Sequence, residues 1–226
     1  MCIDQLIIDT NLAWIRSRIE SALARAGRAP GSATLVAVTK SVGVAEVRAL
    51  VESGVTHFGE NRIAGIQAKR GLFPDSLCWH MIGTIQRRKA KDVVGLFDSV
   101  DAVDRLELAE ELDRRAEGRP EPLPILVEVN VSGEASKHGV APDALSEAVD
   151  GMRQLKHIEV QGFMTMAPIE DDVERVRPVF ARLAQLARAY ELPRISMGMT
   201  SDFEIAVEEG ATEVRIGSAL FERQKD

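Results

Sequence analysis

The chain has 226 residues, of which 45% are hydrophobic and 28% charged, and this composition is sufficient for one sizeable core. Its formal net charge of −7 argues against a nucleic-acid partner, which requires a basic face. No apolar run approaches membrane-spanning length and the N-terminus does not resemble a signal peptide, so we expect a cytoplasmic protein. The two cysteines, Cys2 and Cys78, show no CxxC or Cys/His ligand spacing, and we expect reduced thiols.

The first predicted element is a helix over about residues 4–25, where apolar residues recur every three or four positions. A run of small and β-branched residues follows at 34–40 and is typical of a buried strand. Lys40 ends this strand, where α/β folds keep their chemistry. Partial desolvation there would make its amine a usable nucleophile, whereas most lysines at strand ends are solvated surface residues.

Strands and helices alternate along the rest of the chain. Further strands are predicted at 55–59, 77–83, 97–103, 125–131, 158–164, 193–197 and 213–217. Helices are predicted at 44–52, 60–70, 85–94, 105–117, 142–153, 171–190 and 202–209, with a short helical tail after the last strand. Asp104 is placed to cap the helix that follows it, and Pro178 predicts a kink or a break in the long helix.

The count gives eight strands, each followed by a helix, which implies parallel pairing through right-handed crossovers. Eight such units predict a single (β/α)8 TIM-type barrel domain over residues 1–226, with an extra N-terminal helix. A doubly wound open sheet is the alternative, and it is disfavoured because no GxGxxG turn follows the first strand.

Small and polar residues concentrate at the predicted carboxyl ends of the strands, which in a parallel barrel all open on one face. Asn61 can instead cap a helix and His80 can be a buried core histidine, so the argument rests on the shared location. The residues at these ends are Lys40, Gly59, Glu60, Asn61, His80, Gly83, Asn130, Ser132, Met164, Thr165, the segment 196–200, Arg215, Gly217 and Ser218.

Two of these segments suggest an anion site. The loop at 196–202 contains glycine and three hydroxyls before a helix, and Arg215-Ile216-Gly217-Ser218 passes from a strand into a short helix. Backbone N–H groups at helix starts and nearby hydroxyls bind phosphate, and barrels commonly hold phosphate after strands seven and eight. Capped turns are the alternative for either loop alone. Together with Lys40, the pattern suits a phosphorylated aldehyde such as pyridoxal 5′-phosphate (PLP).

The motifs of this chain resemble those of the pyridoxal phosphate homeostasis proteins, whose barrel is similar to the N-terminal domain of alanine racemase. The match runs in order over nearly the whole chain, and Arg88, where asparagine is usual, is a small departure. The matching segments are Val36-Ala37-Val38-Thr39-Lys40; His57-Phe58-Gly59-Glu60-Asn61; Trp79-His80-Met81-Ile82-Gly83 with Gln86 and Lys89; 127–131 with Ser136-Lys137-His138-Gly139; Gly162-Phe163-Met164; 196–202 with Ser201-Asp202; and Val214-Arg215-Ile216-Gly217-Ser218.

The resemblance implies a role for each of six residues. Lys40 forms a Schiff base with PLP, and Arg215 faces the pyridine nitrogen. Asn61 lies beside the cofactor, and the phosphate is held by Ser196, Gly217 and Ser218.

The resemblance further implies a carrier or buffer in intracellular PLP homeostasis, with apo forms of PLP-dependent enzymes as partners and little or no turnover. Arginine cannot accept a hydrogen bond from a pyridinium N–H, so the ring nitrogen stays unprotonated and the cofactor is a poorer electron sink. Alanine racemase takes a second acid/base, a tyrosine, from another domain. The only tyrosine here, Tyr190, is predicted on the wrong side of the barrel.

Three other classes of function stay open at this point. An amino-acid racemase or other PLP-dependent enzyme would show turnover that depends on Lys40. A barrel aldolase or lyase would trap a sugar phosphate on Lys40 without affinity for PLP. A scaffold protein would bind its partner through the basic stretch at 87–91, although a solvated helix face explains that stretch as well.

Overall fold

The structure, a computed structural model, describes residues 5–134, 138–168, 170 and 172–222, so Cys2, Ser136 and Lys137 lie outside the described residues. Eight parallel strands pair in chain order and the eighth pairs with the first, which confirms the closed (β/α)8 barrel. The strands are β1 Thr34–Val38, β2 His57–Glu60, β3 Cys78–Met81, β4 Ser99–Val103, β5 Leu123–Glu128, β6 Ile158–Met164, β7 Arg194–Ser196 and β8 Glu213–Ile216.

Helices surround the barrel, and the extra N-terminal helix is confirmed. The helices are α1 Gln5–Arg25, α2 Val44–Glu52, α3 Ile63–Gln67, α4 Ala90–Leu96, α5 Leu106–Ala116, α6 Leu145–Arg153, α7 Arg177–Ala189, α8 Phe203–Glu208 and α9 Ser218–Phe221. Short 3-10 turns cover Arg70–Leu72, Arg87–Lys89 and Val173–Val176. Helix α1 packs its apolar side against α2, α8 and α9. Within the described ranges, no helix combines the length and apolar character needed to cross a bilayer.

The helix predicted at 60–70 is shorter at both ends in the structure, where α3 covers Ile63–Gln67. Glu60 was expected to open it, but Glu60 is the last residue of β2 and is buried. Its carboxylate accepts hydrogen bonds from the hydroxyl of Thr39 and the ammonium of Lys69. The tertiary pairing of a buried carboxylate therefore overrides the local helical pattern.

Two expectations about helix starts have opposite outcomes. The proposed cap Asp104 is wrong, because α5 begins after Arg105 and no side chain caps it, while Asp104 forms an ion pair with Arg105. The break expected at Pro178 is confirmed, since α7 begins at Arg177 and a separate 3-10 turn precedes it. Proline is tolerated there because the first turn of a helix has no partner for its N–H.

The main apolar core lies between the outer side of the barrel and the helices, where Phe58 and Trp79 pack with ring centroids 5.1 Å apart. Among the residues that the structure describes, Ala102, Leu126 and Met164 form a small apolar cluster separate from this main core.

Polar side chains also meet in the barrel interior. Arg194 on β7 donates to the Ser99 hydroxyl on β4 at 3.1 Å, which spans the barrel. The same arginine donates to the Glu213 carboxylate on β8 at 2.6 Å. This polar interior lies directly beneath the carboxyl-end cleft.

Candidate functional site

A cleft of about 660 Å³ opens at the carboxyl ends of the strands. Five of the six predicted site residues line it, namely Lys40, Asn61, Arg215, Gly217 and Ser218. These residues follow or end β1, β2 and β8, which closure of the barrel makes neighbours. The sixth, Ser196, is fully buried beneath the cleft.

Lys40 lies two residues beyond the end of β1. Its side chain is exposed, as expected if it is one of the solvated lysines common at strand ends. Thr39, the residue before it, is held by two hydrogen bonds. The Thr39 hydroxyl donates to Glu60 Oε1 at 2.7 Å, and the Thr39 carbonyl accepts from Lys69 Nζ at 2.8 Å. Lys69 Nζ also contacts Glu60 Oε1 at 2.5 Å within the same buried pair. The backbone that carries Lys40 is thereby fixed while its amine stays free to reach a ligand.

Sequence reasoning missed the role of Lys69, because basic residues at the end of a predicted helix suit the helix dipole without further explanation. Lys69 is only 4% exposed, which is rare for a lysine. Its partner Glu60 was singled out as a strand-end residue. The two residues are nine positions apart, and this spacing does not predict that their side chains pair.

Arg215 is buried and points two donors at fixed acceptors. Its Nη1 donates to Ser196 Oγ at 2.7 Å, and its Nη2 donates to the Thr165 carbonyl at 2.9 Å. Burial lowers the pKa of Arg215, and the charges of Asp101 and Asp202 oppose that effect. A guanidinium has five N–H groups, so these two bonds leave donors for a ligand in the cleft.

The loop between β7 and α8 brings Thr200 and Ser201 into the cleft wall. The Met199 N–H donates to Asp202 Oδ1 at 2.6 Å, which closes the loop onto the start of α8. Gly198 has φ +88°, and a Cβ at that position would lie 2.5 Å from Ala206 Cβ. The three hydroxyls of the segment 196–202 were the sequence signal for this loop, and of the three the resemblance assigned a role only to Ser196.

Asn61 contributes an unsatisfied acceptor beside this cleft. Its Oδ1 is buried and has no hydrogen-bond partner among the residues that the structure describes. The helix-cap alternative fails, because Arg62 is the N-cap residue of α3 and Asn61 lies before it. An unsatisfied buried acceptor costs about 1–3 kcal/mol, so a donor on a ligand would be stabilising here.

His80 was grouped with the strand-end residues of the cleft, but its side chain does not line the cleft. It is buried, as the alternative of a core histidine predicted. Its Nδ1 contacts Asp101 Oδ2 at 2.8 Å inside the barrel. Burial alone would lower the pKa of His80, but the charge and hydrogen bond of Asp101 outweigh it and raise that pKa well above its usual value. Burial also raises the pKa of the Cys78 thiol, but hydrogen bonds with His57 and His80 outweigh it and bring that pKa to about 7.

Comparisons with known proteins agree with this geometry. Residues 10–224 match the family model described as "Alanine racemase, N-terminal domain". The chain is 39% identical over 221 residues to the pyridoxal phosphate homeostasis protein of Aquifex aeolicus, covering 95% of this chain and 97% of that protein. The corresponding protein of Pseudomonas aeruginosa is 39% identical over 218 residues, with 95% of this chain and 94% of that protein covered.

A solved structure shows the same architecture with a ligand. The structure of PipY from Synechococcus elongatus PCC7942 with PLP bound aligns with a TM-score of 0.80 and 33% sequence identity. The alignment covers 95% of this chain and all of the PipY chain, 100%. The similarity therefore extends over the barrel and the cleft together.

Proposed function

The chain belongs to the alanine racemase N-terminal domain family, among the pyridoxal phosphate homeostasis proteins, and on that premise we propose that it binds PLP as a carrier or buffer. The observation that carries the proposal is the cleft in which Lys40, the buried Arg215 and the Asn61 side chain face one space. An amine, a fixed cation and an unsatisfied acceptor suit a phosphorylated pyridine aldehyde. The apo forms of PLP-dependent enzymes are the proposed recipients.

The amine of Lys40 is the proposed covalent anchor. It condenses with an aldehyde carbon by forming a C=N bond, and the aldehyde oxygen leaves as water. The fixed backbone at Thr39 restricts where the amine can reach, while the exposure of Lys40 allows an exchanging amine from a recipient to approach. Reversible attachment is what a carrier requires.

Gly217, Ser218, Thr200 and Ser201 are the proposed phosphate-binding groups, because all four line the same cleft. Ser196, which the resemblance assigns to the phosphate, is buried and accepts a hydrogen bond from Arg215, so its proposed role is to position that guanidinium. Arg215 is the proposed partner of the pyridine nitrogen. As a permanent donor it favours the unprotonated ring, and PLP supplies weaker carbanion stabilisation in that form.

Reduction with borohydride tests the anchor. PLP-loaded protein is expected to show the absorbance of a Schiff base, which borohydride converts to a stable adduct on the peptide that contains Lys40. Lys40→Ala should lose the adduct, and Lys91→Ala, which removes an exposed lysine outside the cleft, should keep it. An unchanged adduct in Lys40→Ala would refute this assignment.

Carrier function and turnover can be separated by two assays on the same preparation. We expect PLP to pass from the loaded protein to an apo-enzyme and restore its activity, while alanine is racemised no faster than by free PLP. Tyr190 supports this expectation, because it ends α7 with its ring edge-on to Phe163 at 5.4 Å. Racemisation that is lost in Lys40→Ala would instead identify an enzyme.

A further inference from the structure

Three side chains with metal-binding atoms meet at the amino end of the barrel, opposite the cleft. They are His57, Cys78 and His80, and one ligand atom from each lies within 4.8 Å of the others. His57 Nδ1 and His80 Nε2 are 3.0 Å apart. His57 opens β2 and Cys78 opens β3, so none of these residues belongs to the PLP cleft.

The strand register explains this convergence. His57 and Cys78 are direct neighbours in the β2–β3 pairing. His80 follows Cys78 by two residues, and alternate residues of a strand share one side. Cysteine spacing along the sequence did not single out this cluster, because one of its three side chains comes from the neighbouring strand.

The orientation of His80 suits a metal ligand. Its Nδ1 faces Asp101 Oδ2 at 2.8 Å, and the other oxygen of Asp101 accepts from the Ser99 hydroxyl at 2.5 Å. A carboxylate on one ring nitrogen orients the ring and holds its proton there, so that the other nitrogen coordinates a metal by giving up its own proton. That second nitrogen, Nε2, is the one that faces His57.

We propose that His57, Cys78 and His80 form a Zn²⁺ site, with water as the fourth ligand. Zn²⁺ prefers imidazole nitrogen and thiolate sulfur in tetrahedral geometry. Bonds of about 2.0–2.3 Å place two ligand atoms of one such ion about 3.3–3.6 Å apart. The two imidazole nitrogens therefore need to separate by only several tenths of an ångström.

Carboxylates beside the cluster suit a bound cation. Asp101 faces His80 Nδ1 and Arg194, and Glu213 pairs with Arg194. Zn²⁺ takes the place of the protons on its ligand atoms, so these carboxylates keep a positive charge beside them. The alternative set of His80, Asp101 and Glu213 is less suited, because a metal there would break the His80–Asp101 contact and the Glu213–Arg194 ion pair.

A route for the ion is present on the same side. His57 also lines a cavity of about 370 Å³, together with Thr56, Arg16 and Glu20. This opening can admit the ion and the water that completes its coordination. Bound Zn²⁺ would join β2 to β3 at the base of the barrel and stabilise it by linkage.

Metal binding by the full-length chain tests the proposal. All variants carry Cys2→Ser, which leaves Cys78 as the only thiol of the two in the sequence. Titration calorimetry with Zn²⁺ is expected to show one site per chain. Co²⁺ is expected to give thiolate-to-metal absorbance in the near ultraviolet, and Cys78→Ser should abolish it.

Substitutions separate the ligands from their support. Asp101→Asn is expected to weaken Zn²⁺ binding about 10–100-fold, and His57→Ala or Cys78→Ser by more than about 100-fold. His157→Ala is the matched control, because this half-exposed histidine pairs with Asp113 instead, and it should bind like the parent. Far-ultraviolet circular dichroism reports whether each variant is folded.

The result that overturns the site is equal Zn²⁺ affinity in the folded parent, His57→Ala and Cys78→Ser, or no binding by the parent. Lys40→Ala should bind Zn²⁺ as tightly as the parent, and His57→Ala should keep the borohydride-trapped PLP adduct. Failure of the metal site and failure of the proposed PLP function are therefore distinguishable.

Discussion

At the scale of single residues, the cleft depends on groups that never touch its surface. Lys69 and Glu60 form a buried ion pair that fixes Thr39, and Ser196 holds the guanidinium of Arg215. The first contact fixes the backbone that carries Lys40, and the second fixes the guanidinium of Arg215. Removing a supporting residue should therefore affect both stability and ligand binding.

Lys69→Met tests this support. Loss of one partner leaves the Glu60 carboxylate buried without its counter-charge, so we expect the free energy of unfolding to fall by about 3–5 kcal/mol. PLP affinity should fall as well. The double variant Glu60→Gln/Lys69→Met should be more stable than Lys69→Met alone, since neither charge is then buried unpaired. Urea denaturation measures all three.

The control for this prediction is Lys89→Met. Lys89 forms an exposed pair with Asp92, and exposed pairs contribute about 0–1 kcal/mol. If Lys69→Met and Lys89→Met cost the same, the Lys69 pair has no special structural role.

At the scale of secondary-structure elements, the loop from β7 into α8 is held by specific contacts at the wall of the cleft. The Met199 N–H donates to Asp202, the residue just before α8, and this bond ties the loop to the start of the helix. The short strand β7, Arg194–Ser196, gives this loop a fixed origin. Side chains on the loop can therefore meet a phosphate without prior ordering.

Gly198→Ala should disturb this loop in two ways. The left-handed backbone costs about 1–2 kcal/mol for a residue with Cβ, and the added carbon also overlaps Ala206. Gly118→Ala is the matched control, because Gly118 has φ +91° but open space around it. We expect the larger loss of stability and a loss of PLP affinity only in Gly198→Ala, measured by thermal unfolding and PLP titration. Equal losses in both variants would contradict the packing argument.

Helix α5 carries a charge cluster with a defined pH response. Hydrogen bonds from Arg114 and then Arg115 lower the pKa of Glu111 from 4.5 to about 2. A carboxyl group with a lowered pKa in the folded state stabilises that state above about pH 4.5, and the contribution is lost as the pH falls towards 2.

Nuclear magnetic resonance titration of the Glu111 carboxyl carbon should therefore show a midpoint near 2. In Arg114→Ala the midpoint should rise towards the ordinary value, whereas Arg188→Ala, on α7, should leave it unchanged. A midpoint that does not move in Arg114→Ala would exclude the proposed hydrogen bond as the cause.

At the scale of the whole molecule, the barrel places two polar sites at opposite ends of one closed sheet. The cleft lies at the carboxyl ends, and the His57, Cys78 and His80 cluster lies at the amino end. Arg194 spans the interior between β4, β7 and β8. A ligand at either end should therefore stabilise the whole barrel.

PLP at 100 times its dissociation constant should stabilise the folded state by about 2.7 kcal/mol, because it binds that state alone. For a chain of this size the melting temperature should rise by about 5–10 °C. Lys40→Ala should show a much smaller rise, and Lys91→Ala the full rise. The same rise in Lys40→Ala would mean that the covalent anchor contributes nothing. Differential scanning calorimetry measures the change.

The sequence by itself determined the eight βα units, the N-terminal helix, and Lys40, Asn61, Arg215, Gly217 and Ser218 as residues of the strand ends. These features follow from local periodicity and from strand-end position, since side chains that face the core repeat with the period of their own element.

Only the tertiary structure decided how distant side chains pair. The Lys69–Glu60 pair, Ser196 behind Arg215, and the union of His57 with Cys78 and His80 all depend on strand register and barrel closure. Burial of a charged or polar group must be compensated by a partner, and that partner can lie anywhere in the sequence. For this physical reason, the positions of the cleft residues could be predicted from local patterns, while their supporting contacts could not.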